Sequence, residues 1–392
     1  MASMTQHANT IQALPFLPYG RQVIGEDDIA AVVAALRSAW LTTGPRVNEF
    51  EQAVADFCGV RHGVAVSSGT AALHAAMAAI GIGPGDEVIV PAMTFAATAN
   101  AVVYQGGTPV FADVEADTLL LDPNSVKEQI SARTKAIVAV DYAGQPCDYK
   151  ALRAIADRNG LRLVADACHS LGAESDGKKV GTLADCTVFS FHPVKHITTG
   201  EGGMVVTEDA VLAASMWRFR NHGIATDHRQ REAIGTWQYE MVELGYNYRI
   251  TDFQSALGMS QLLKLPAFIE RRRRIAGQYS EAFSGSPAIR PLAIRPETVS
   301  AWHLYVVQLA GGIFREKAFR QLRERGIGVN VHYLPVHLHP FYQERFGLRP
   351  GLCPVAEAAY EVILSLPIWP GMDDDQVARV VREMSALCDN RL

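Results

Sequence analysis

A rhythm that begins at residue 62 narrows what this chain can fold into more than any other feature of its sequence. Short apolar runs at 62–66, 87–90, 109–111, 135–140 and 162–165 alternate with helical stretches such as 71–80, 95–104 and 149–159. Strand, helix, strand at this spacing predicts a parallel sheet covered by helices on both faces. Open sheets of that kind place ligands beyond the carboxyl ends of their strands. The residues that follow each strand are therefore the ones to read for chemistry.

Two further strands, 186–191 and 204–207, bracket a loop that runs through His192-Pro193-Val194-Lys195 to Gly200-Glu201-Gly202-Gly203. Lys195 is thereby held at a strand edge beside Val194 and Ile197, where desolvation can leave an amine partly neutral and fit for Schiff-base chemistry. Ser190 is placed to reach an anionic group. A lysine beside a strand is otherwise a solvated charge. Asp166 ends its strand at the ligand-binding edge, or else caps the turn that follows. Gly69 and Thr70, after Ser67-Ser68, open an Ala-rich helix. Their N–H groups and hydroxyl suit a phosphate, or equally an ordinary N-cap.

The rest of the chain frames this region. Residues 14–25, with Pro15, Pro18, Gly20 and Gly25, read as an extended arm that leads to a helix whose first turn holds Glu26, Asp27 and Asp28, as the helix dipole favours. A loop at 40–45 precedes an amphipathic helix at 47–58. The polar stretch 221–240 reads as a long loop, and a helix begins near Thr251-Asp252. Arg271–Arg274 are expected on another helix as a solvated or intersubunit face. From about residue 266 the pattern changes to a smaller α+β unit: one long helix, a strand at 304–309, a helix at 315–325, a strand near 328–332 and closing helices at 355–362 and 374–387. The expected organisation is an arm (1–25), a large domain (26–265) and a small C-terminal domain (266–392).

Composition removes several function classes. A net charge of −5 and a pI near 6.2 leave no basic footprint for nucleic acid. No stretch approaches the roughly 18 uninterrupted apolar residues of a membrane span, and no basic segment leads an apolar one at the start, so neither membrane nor export is expected. The six cysteines are scattered without C-x-x-C spacing, which fits a reducing cytoplasm. His332, His337 and His339 are interrupted by Pro335 and Pro340 and have no carboxylate at ligand spacing, so no metal is expected.

Lys195, Asp166, Ser68-Gly69-Thr70 and Asn247 together are what pyridoxal phosphate (PLP) chemistry requires: an amine for the aldehyde, an acid for the pyridine nitrogen, donors for the phosphate. At this point the sequence resembles a known family, the fold type I (aspartate aminotransferase-like) sugar aminotransferases of the DegT/DnrJ/EryC1/StrS group, and within it the pseudaminic acid branch. The resemblance runs nearly end to end. It rests on Pro18-Tyr19-Gly20-Arg21-Gln22, Leu41-Thr42-Thr43-Gly44-Pro45, Ser68-Gly69-Thr70-Ala71-Ala72-Leu73, Pro91-Ala92-Met93-Thr94-Phe95 and Asp166-Ala167-Cys168-His169. Further on it rests on Phe189-Ser190-Phe191-His192-Pro193-Val194-Lys195, Gly245-Tyr246-Asn247-Tyr248-Arg249 and His332-Tyr333-Leu334-Pro335-Val336-His337. The His-Pro-Val-Lys form of the lysine loop is the most branch-specific motif. Cys168 stands where serine is expected, and Gly200 where alanine is usual.

The resemblance implies that Lys195 carries the cofactor as a Schiff base and later moves the proton, and that Asp166 keeps the pyridine nitrogen protonated. It matches His169 to an acceptor beside the ring hydroxyl, Phe95 to a ring that stacks on the cofactor, Thr70 and Ser190 to phosphate contacts, and Asn247 to a phosphate contact given by a second subunit. It further implies a homodimer with shared sites. L-glutamate would leave as 2-oxoglutarate, and the amine would pass to the C4 ketone of UDP-2-acetamido-2,6-dideoxy-β-L-arabino-hex-4-ulose. Tyr19, Arg249, His332, Tyr333 and His337 are the candidates for the sugar-binding wall. The alternatives are an aminotransferase for another nucleotide 4-keto sugar (a UDP-pentose, or a GDP- or dTDP-hexose) and a non-catalytic ligand-binding relative. The related sugar 3-dehydrases replace the Schiff-base lysine with histidine, and Lys195 argues against them.

Overall fold

The computed structural model describes residues 15–389. The first fourteen residues of the expected arm, and residues 390–392 at the other end, lie outside that range. Seven strands form the central sheet: β1 (His62–Val66), β2 (Glu87–Pro91), β3 (Thr108–Ala112), β4 (Thr134–Val140), β5 (Arg162–Asp166), β6 (Cys186–Ser190) and β7 (Gly203–Thr207). Their order is β1-β7-β6-β5-β4-β2-β3. Neighbours from β6 to β3 pair in parallel, and β7 runs antiparallel to both β1 and β6. The sheet is thus mostly parallel, as the rhythm predicts. Every residue of β2 and of β7 is buried, because helices lie on both faces and leave no side of a strand for water.

The helix Gly69–Ala79 shows how the sequence achieves that cover. Its alanines at 71, 72, 75 and 76 are all buried, and side chains this small let the helix lie close against the sheet. Because β7 alone is reversed, the carboxyl ends of β1, β2, β5 and β6 all open on one edge. That edge carries Ser68, Phe95, Asp166 and Lys195 within a few residues of the strand ends.

A second, antiparallel sheet is built from β8 (Ile289–Pro291), β9 (Tyr305–Leu309) and β10 (Ile363–Leu366) in that order. It backs a separate core that includes Tyr279, Val307, Leu322 and Leu364. The strand expected near 328–332 does not form. Ile327 pairs only with Leu17 and Asn330 only with Ser365, so the segment makes single bridges to two different neighbours and no ladder. Leu17 donates to the Gly326 carbonyl and accepts from Gly328 N–H, which fixes the described part of the arm against this unit.

Two other expectations are corrected. The stretch 221–240 contains a helix, His228–Ala233, started by an Asp227/Gln230 capping box that was legible as Asp-x-x-Gln. Arg271–Arg274 do not lie on another helix. They belong to a 31-residue helix, Asp252–Ala282, which continues through Pro266. Nor are they all solvated: Arg273 and Arg274 pair with Glu270 at the surface, whereas Arg272 is 1% exposed. Four successive residues on a helix face all directions, so a helix packed between two cores has to bury one of them.

The long helix also holds the first one. Asp28, wholly buried, accepts from Lys264 Nζ, from Ser260 Oγ at 2.6 Å and from Gln261 Nε2 at 2.8 Å. These donors hold its carboxyl below the usual range against the upward push of burial. Asp28→Ala should destabilise the chain by roughly 1–3 kcal/mol, because it leaves the buried donor of Gln261 and that of Ser260 without their acceptor, while Lys264 keeps Asp27. Urea unfolding monitored by circular dichroism at neutral pH measures this, and an unchanged midpoint would show that the cluster is decorative.

Candidate active site

The strand-end edge faces Tyr19 of the arm, His303 and the 330–333 segment across a cavity of about 490 Å³. Asp166, 6% exposed, closes β5 and points its carboxylate into the cavity floor. Its Oδ2 accepts from Thr98 Oγ1 at 2.7 Å, and Thr98 stands 2.8 Å from Thr94 Oγ1. Since the Thr98 proton is committed to the carboxylate, Thr94 must be the donor in that second bond. Two hydroxyls thus line up to fix one acid. Cys168 N–H reaches Asp166 Oδ1 at 3.3 Å, and burial, then the nearby acid, raises the Cys168 thiol well above its ordinary value, so it stays protonated.

Lys195 sits in the β6–β7 loop, its N–H bonded to the His192 carbonyl at 2.9 Å. Burial lowers its amine below the ordinary lysine value, and Arg272 pushes the same way, while the Asp166 carboxylate opposes. At the opposite end of the floor, Gly69 and Thr70 open the helix that follows β1. Ser68 caps it by accepting from Ala71 N–H at 3.1 Å. Gly69 is required there: a Cβ would lie 2.9 Å from the Ser190 Cβ. Ser190 Oγ and the free N–H groups of that helix end therefore share one small space suited to an anion.

The upper wall is aromatic. His169 is buried, with Nε2 3.2 Å from Tyr333 Oη and Nδ1 without a partner. Burial holds its imidazole well below its ordinary value, so the ring is neutral. Tyr19 packs on His332 at 5.3 Å between centroids, and Phe95, 60% exposed, lies 6.0 Å from Tyr333. His332 is fixed by Ser365 Oγ at 2.8 Å and is pushed by burial down to about 3.

Ten of the residues singled out from sequence line this one cavity: Tyr19, Gly69, Thr70, Phe95, Asp166, His169, Ser190, Lys195, His332 and Tyr333. Three do not. Asn247 is exposed and bridges to Asn221. Arg249 bonds the Asn221 side chain at 3.0 Å in a narrow cleft with Thr43 and Asp227. His337 is sealed in the core, 2.8 Å from Glu357, behind the wall. Sequence reading missed Thr98, which sits one helical turn after Thr94, and His303, a lone imidazole before β9. The Thr-x-x-x-Thr spacing was a usable signal for the first, but nothing local marked the second. Among the described residues no group of three or more His, Cys, Asp or Glu side chains could hold a metal, and no helix is long and apolar enough to cross a membrane.

Comparison with known proteins agrees with this geometry. Residues 22–385 match the DegT/DnrJ/EryC1/StrS aminotransferase family. The spore coat polysaccharide biosynthesis protein SpsC of Bacillus subtilis is 42% identical over 371 residues, covering 93% of this chain and 95% of that protein. The structure of Helicobacter pylori PseC, an aminotransferase involved in the biosynthesis of pseudoaminic acid, superposes with a TM-score of 0.90 at 34% identity over 95% of this chain and 99% of that one. Spr1654 of Streptococcus pneumoniae in its PLP form gives a TM-score of 0.90 at 32% identity over 96% and 100%. The residues present fit that cofactor: an amine beside a strand-end acid, the unpartnered His169 Nδ1, and a phosphate-sized space that only a glycine at 69 leaves open.

Directly behind the site, Asp141 is wholly buried and accepts from Ser170 Oγ at 2.6 Å, Tyr149 Oη at 2.8 Å and Cys147 N–H at 3.0 Å. Burial, with help from Asp166, pushes its carboxyl up to about 7. A raised acid favours the folded state fully below its unfolded value of about 4, and that contribution fades as pH climbs towards 7. Wild type should therefore lose on the order of 2–3 kcal/mol relative to Asp141→Asn between pH 5 and pH 8. Paired urea titrations at the two pH values measure the difference, and a pH-independent gap would mean that Asp141 is ionised throughout.

Proposed function

Because the chain belongs to the DegT/DnrJ/EryC1/StrS family of PLP-dependent sugar aminotransferases, we propose that it moves the amine of L-glutamate to the C4 ketone of a UDP-linked 4-keto-6-deoxy-N-acetyl hexose, UDP-2-acetamido-2,6-dideoxy-β-L-arabino-hex-4-ulose. The observation that carries the reading is the meeting of Lys195, Asp166 and the Gly69–Thr70 helix end in one cavity with room left over for a sugar. The likeness to PseC along nearly the whole of both chains favours this sugar.

When bound, PLP supplies an aldehyde that exchanges amines and a ring that takes up electron density from the reacting carbon. In this reading Lys195 would hold it through Nζ, and the same atom would serve to move a proton. Asp166 keeps a proton on the ring nitrogen, and the Thr94–Thr98 chain holds the carboxylate in line. Gly69, Thr70 and Ser190 bind the phosphate, where the helix dipole favours an anion. Phe95 would lie against the ring and help keep water out, and His169 would offer a partner to a ring oxygen. Tyr19, His332 and Tyr333 form the sugar wall, with His337 bracing it from behind. Glutamate and keto sugar use the site in turn, so initial rates should be ping-pong.

The reading includes a homodimer. Asn247 lies outside the cavity of its own chain, beside an exposed apolar stretch with Trp237 at 85% and Leu244 at 75%. A second copy covering that stretch would bring Asn247 to the partner's phosphate, and Arg249 with it.

A panel of UDP-, GDP- and dTDP-linked 4-keto sugars, offered with glutamate, tests the substrate. The expected outcome is amination of the UDP N-acetyl hexose at least tenfold faster, by kcat/KM, than of the others, about 1.4 kcal/mol of discrimination. Equal or better use of another sugar rejects it. Co-expression of Lys195→Ala with Asn247→Ala chains tests the shared site. Half of randomly paired dimers are mixed, and each mixed dimer rebuilds one intact site, so activity should reach about a quarter of wild type. No recovery, with mixed dimers shown to form and the Asn247→Ala homodimer strongly impaired, would place Asn247 in its own chain's site.

A further inference from the structure

His303 has no part in the scheme above, yet its Nε2 lies 3.4 Å from Lys195 Nζ. We propose that His303 is a positioning residue for the Lys195 amine: its Nε2–H donates to the Nζ lone pair and thereby selects the neutral, nucleophilic form of that amine. The proposal rests on the reading that Lys195 is the reactive amine, and it concerns only these two side chains.

The tautomer follows from what His303 lacks. The residue is 4% exposed and its Nδ1 has no hydrogen-bond partner. A neutral imidazole carries one proton. With that proton on Nδ1, a buried N–H would be orphaned, which folded proteins almost never tolerate. With it on Nε2, only an acceptor lone pair goes unused, which is the milder loss. A donor at Nε2 faces Nζ, and only an uncharged amine has a lone pair to receive it. The ring is itself kept uncharged by burial first, and then by the nearness of Lys195, His169, His196 and Arg272. Asp166, at the end of β5, is the charged group that favours a charged amine. His303 balances it from the other side.

The fold holds this imidazole in place at some expense. Trp302 adopts a left-handed backbone (φ 51°) although it is not glycine, a strained conformation that persists where surrounding structure enforces it. What enforces it is visible. Ala301 N–H bonds the Gly144 carbonyl at 2.9 Å, and Leu304 N–H bonds that of Ala143 at 3.2 Å. Gly144 (φ 104°) must be glycine, since a Cβ would lie 2.6 Å from Trp302 N and 2.7 Å from His303 N. From the opposite side the buried Arg272 donates Nη1 to the carbonyls of Trp302 and His303, each at 3.2 Å, and of Ile368 at 3.0 Å. The ring is then packed against His169 at 4.3 Å and His196 at 5.6 Å between centroids. Backbone and ring are both pinned, which is what aiming one nitrogen at another requires.

The test reads the amine rather than turnover. Full-length chain freed of cofactor, and shown to be folded by circular dichroism, is reductively methylated with formaldehyde and cyanoborohydride over about pH 6 to 10, the span in which a lysine and its lowered forms titrate. Peptide mass spectrometry follows Lys195, with exposed Lys317 as the internal standard. In wild type the Lys195 midpoint should fall below that of Lys317. His303→Phe keeps a ring and the exclusion of water but removes the donor, and should raise the Lys195 midpoint by about one pH unit, slowing its reaction near pH 7 about tenfold. His303→Gln, which restores an N–H donor, should return the midpoint close to wild type. A His303→Phe midpoint at or below that of wild type overturns the proposal, as does a Gln variant that behaves like the Phe one. Should His303→Phe fail to fold, His303→Leu takes its place with the same expected shift. Failure of the underlying reading is distinguishable: borohydride reduction of the holoenzyme would then label a lysine other than Lys195, whatever the methylation midpoints show.

Discussion

A strand buried on both faces has its backbone and side chains fully engaged along its length, so only its ends are free to do chemistry. The central sheet depends on this constraint. With β2 and β7 wholly buried, and the helix Gly69–Ala79 pressed on the sheet through alanines, function is driven to the carboxyl edge. Reversal of β7 alone keeps six strand ends on that edge and makes the β6–β7 connection a loop, residues 191–202, that lies along it. Lys195 in that loop is brought opposite Asp166 on the neighbouring strand, without either needing a long flexible segment to reach the other.

The same constraint explains what was legible in the sequence. Period and composition identify strands buried on both faces, and residues just beyond them are found by counting. Asp166, Lys195, Ser190 and the Gly69–Thr70 turn were visible for that reason, and all of them line the cavity. The second unit was harder to read. The apolar run at 328–332 looks like a strand, but its backbone partners are Leu17 and Ser365, hundreds and tens of residues away, and no local pattern says that each will pair only once. Arg272 was misread because a run of four arginines looks solvated; its burial depends on two cores meeting on one helix. His303 owes its place to a clamp between the 143–144 turn and that same arginine, and neither element is near it in sequence.

Charge is distributed in the site with economy. Imidazoles at 169, 196, 303 and 332 surround Lys195, and burial holds all four below the ordinary histidine value. Were any of them charged, it would repel the incoming amine and compete for the Asp166 carboxylate. Neutral, they provide packing and single hydrogen bonds while leaving the field at the floor to one acid, one amine and a helix end. Arg272 lies behind this layer with one nitrogen, Nη1, shared among three carbonyls, and burial brings it down to about 9.

Apart from His169 and Phe95, the upper wall comes from other parts of the chain than the floor, and this separates two kinds of change. Amine, acid and anion site are all fixed by the central sheet. Tyr19 comes from the arm, and Asn330, His332 and Tyr333 from a segment that forms no ladder and is tied down by bridges, by Ser365 Oγ and by Tyr142, whose hydroxyl donates to the His332 carbonyl. A substitution in that segment alters the shape and polarity of the cavity wall while leaving the position of Asp166 and Lys195 to the sheet. Loops tolerate such change better than ladders do, since fewer backbone bonds must be conserved for the chain to fold. If the arm and the 330–333 segment form the sugar wall as proposed, choice among sugars can drift there, whereas the proposed chemistry of Lys195 and Asp166 cannot drift without disturbing the edge of a sheet that is buried on both sides.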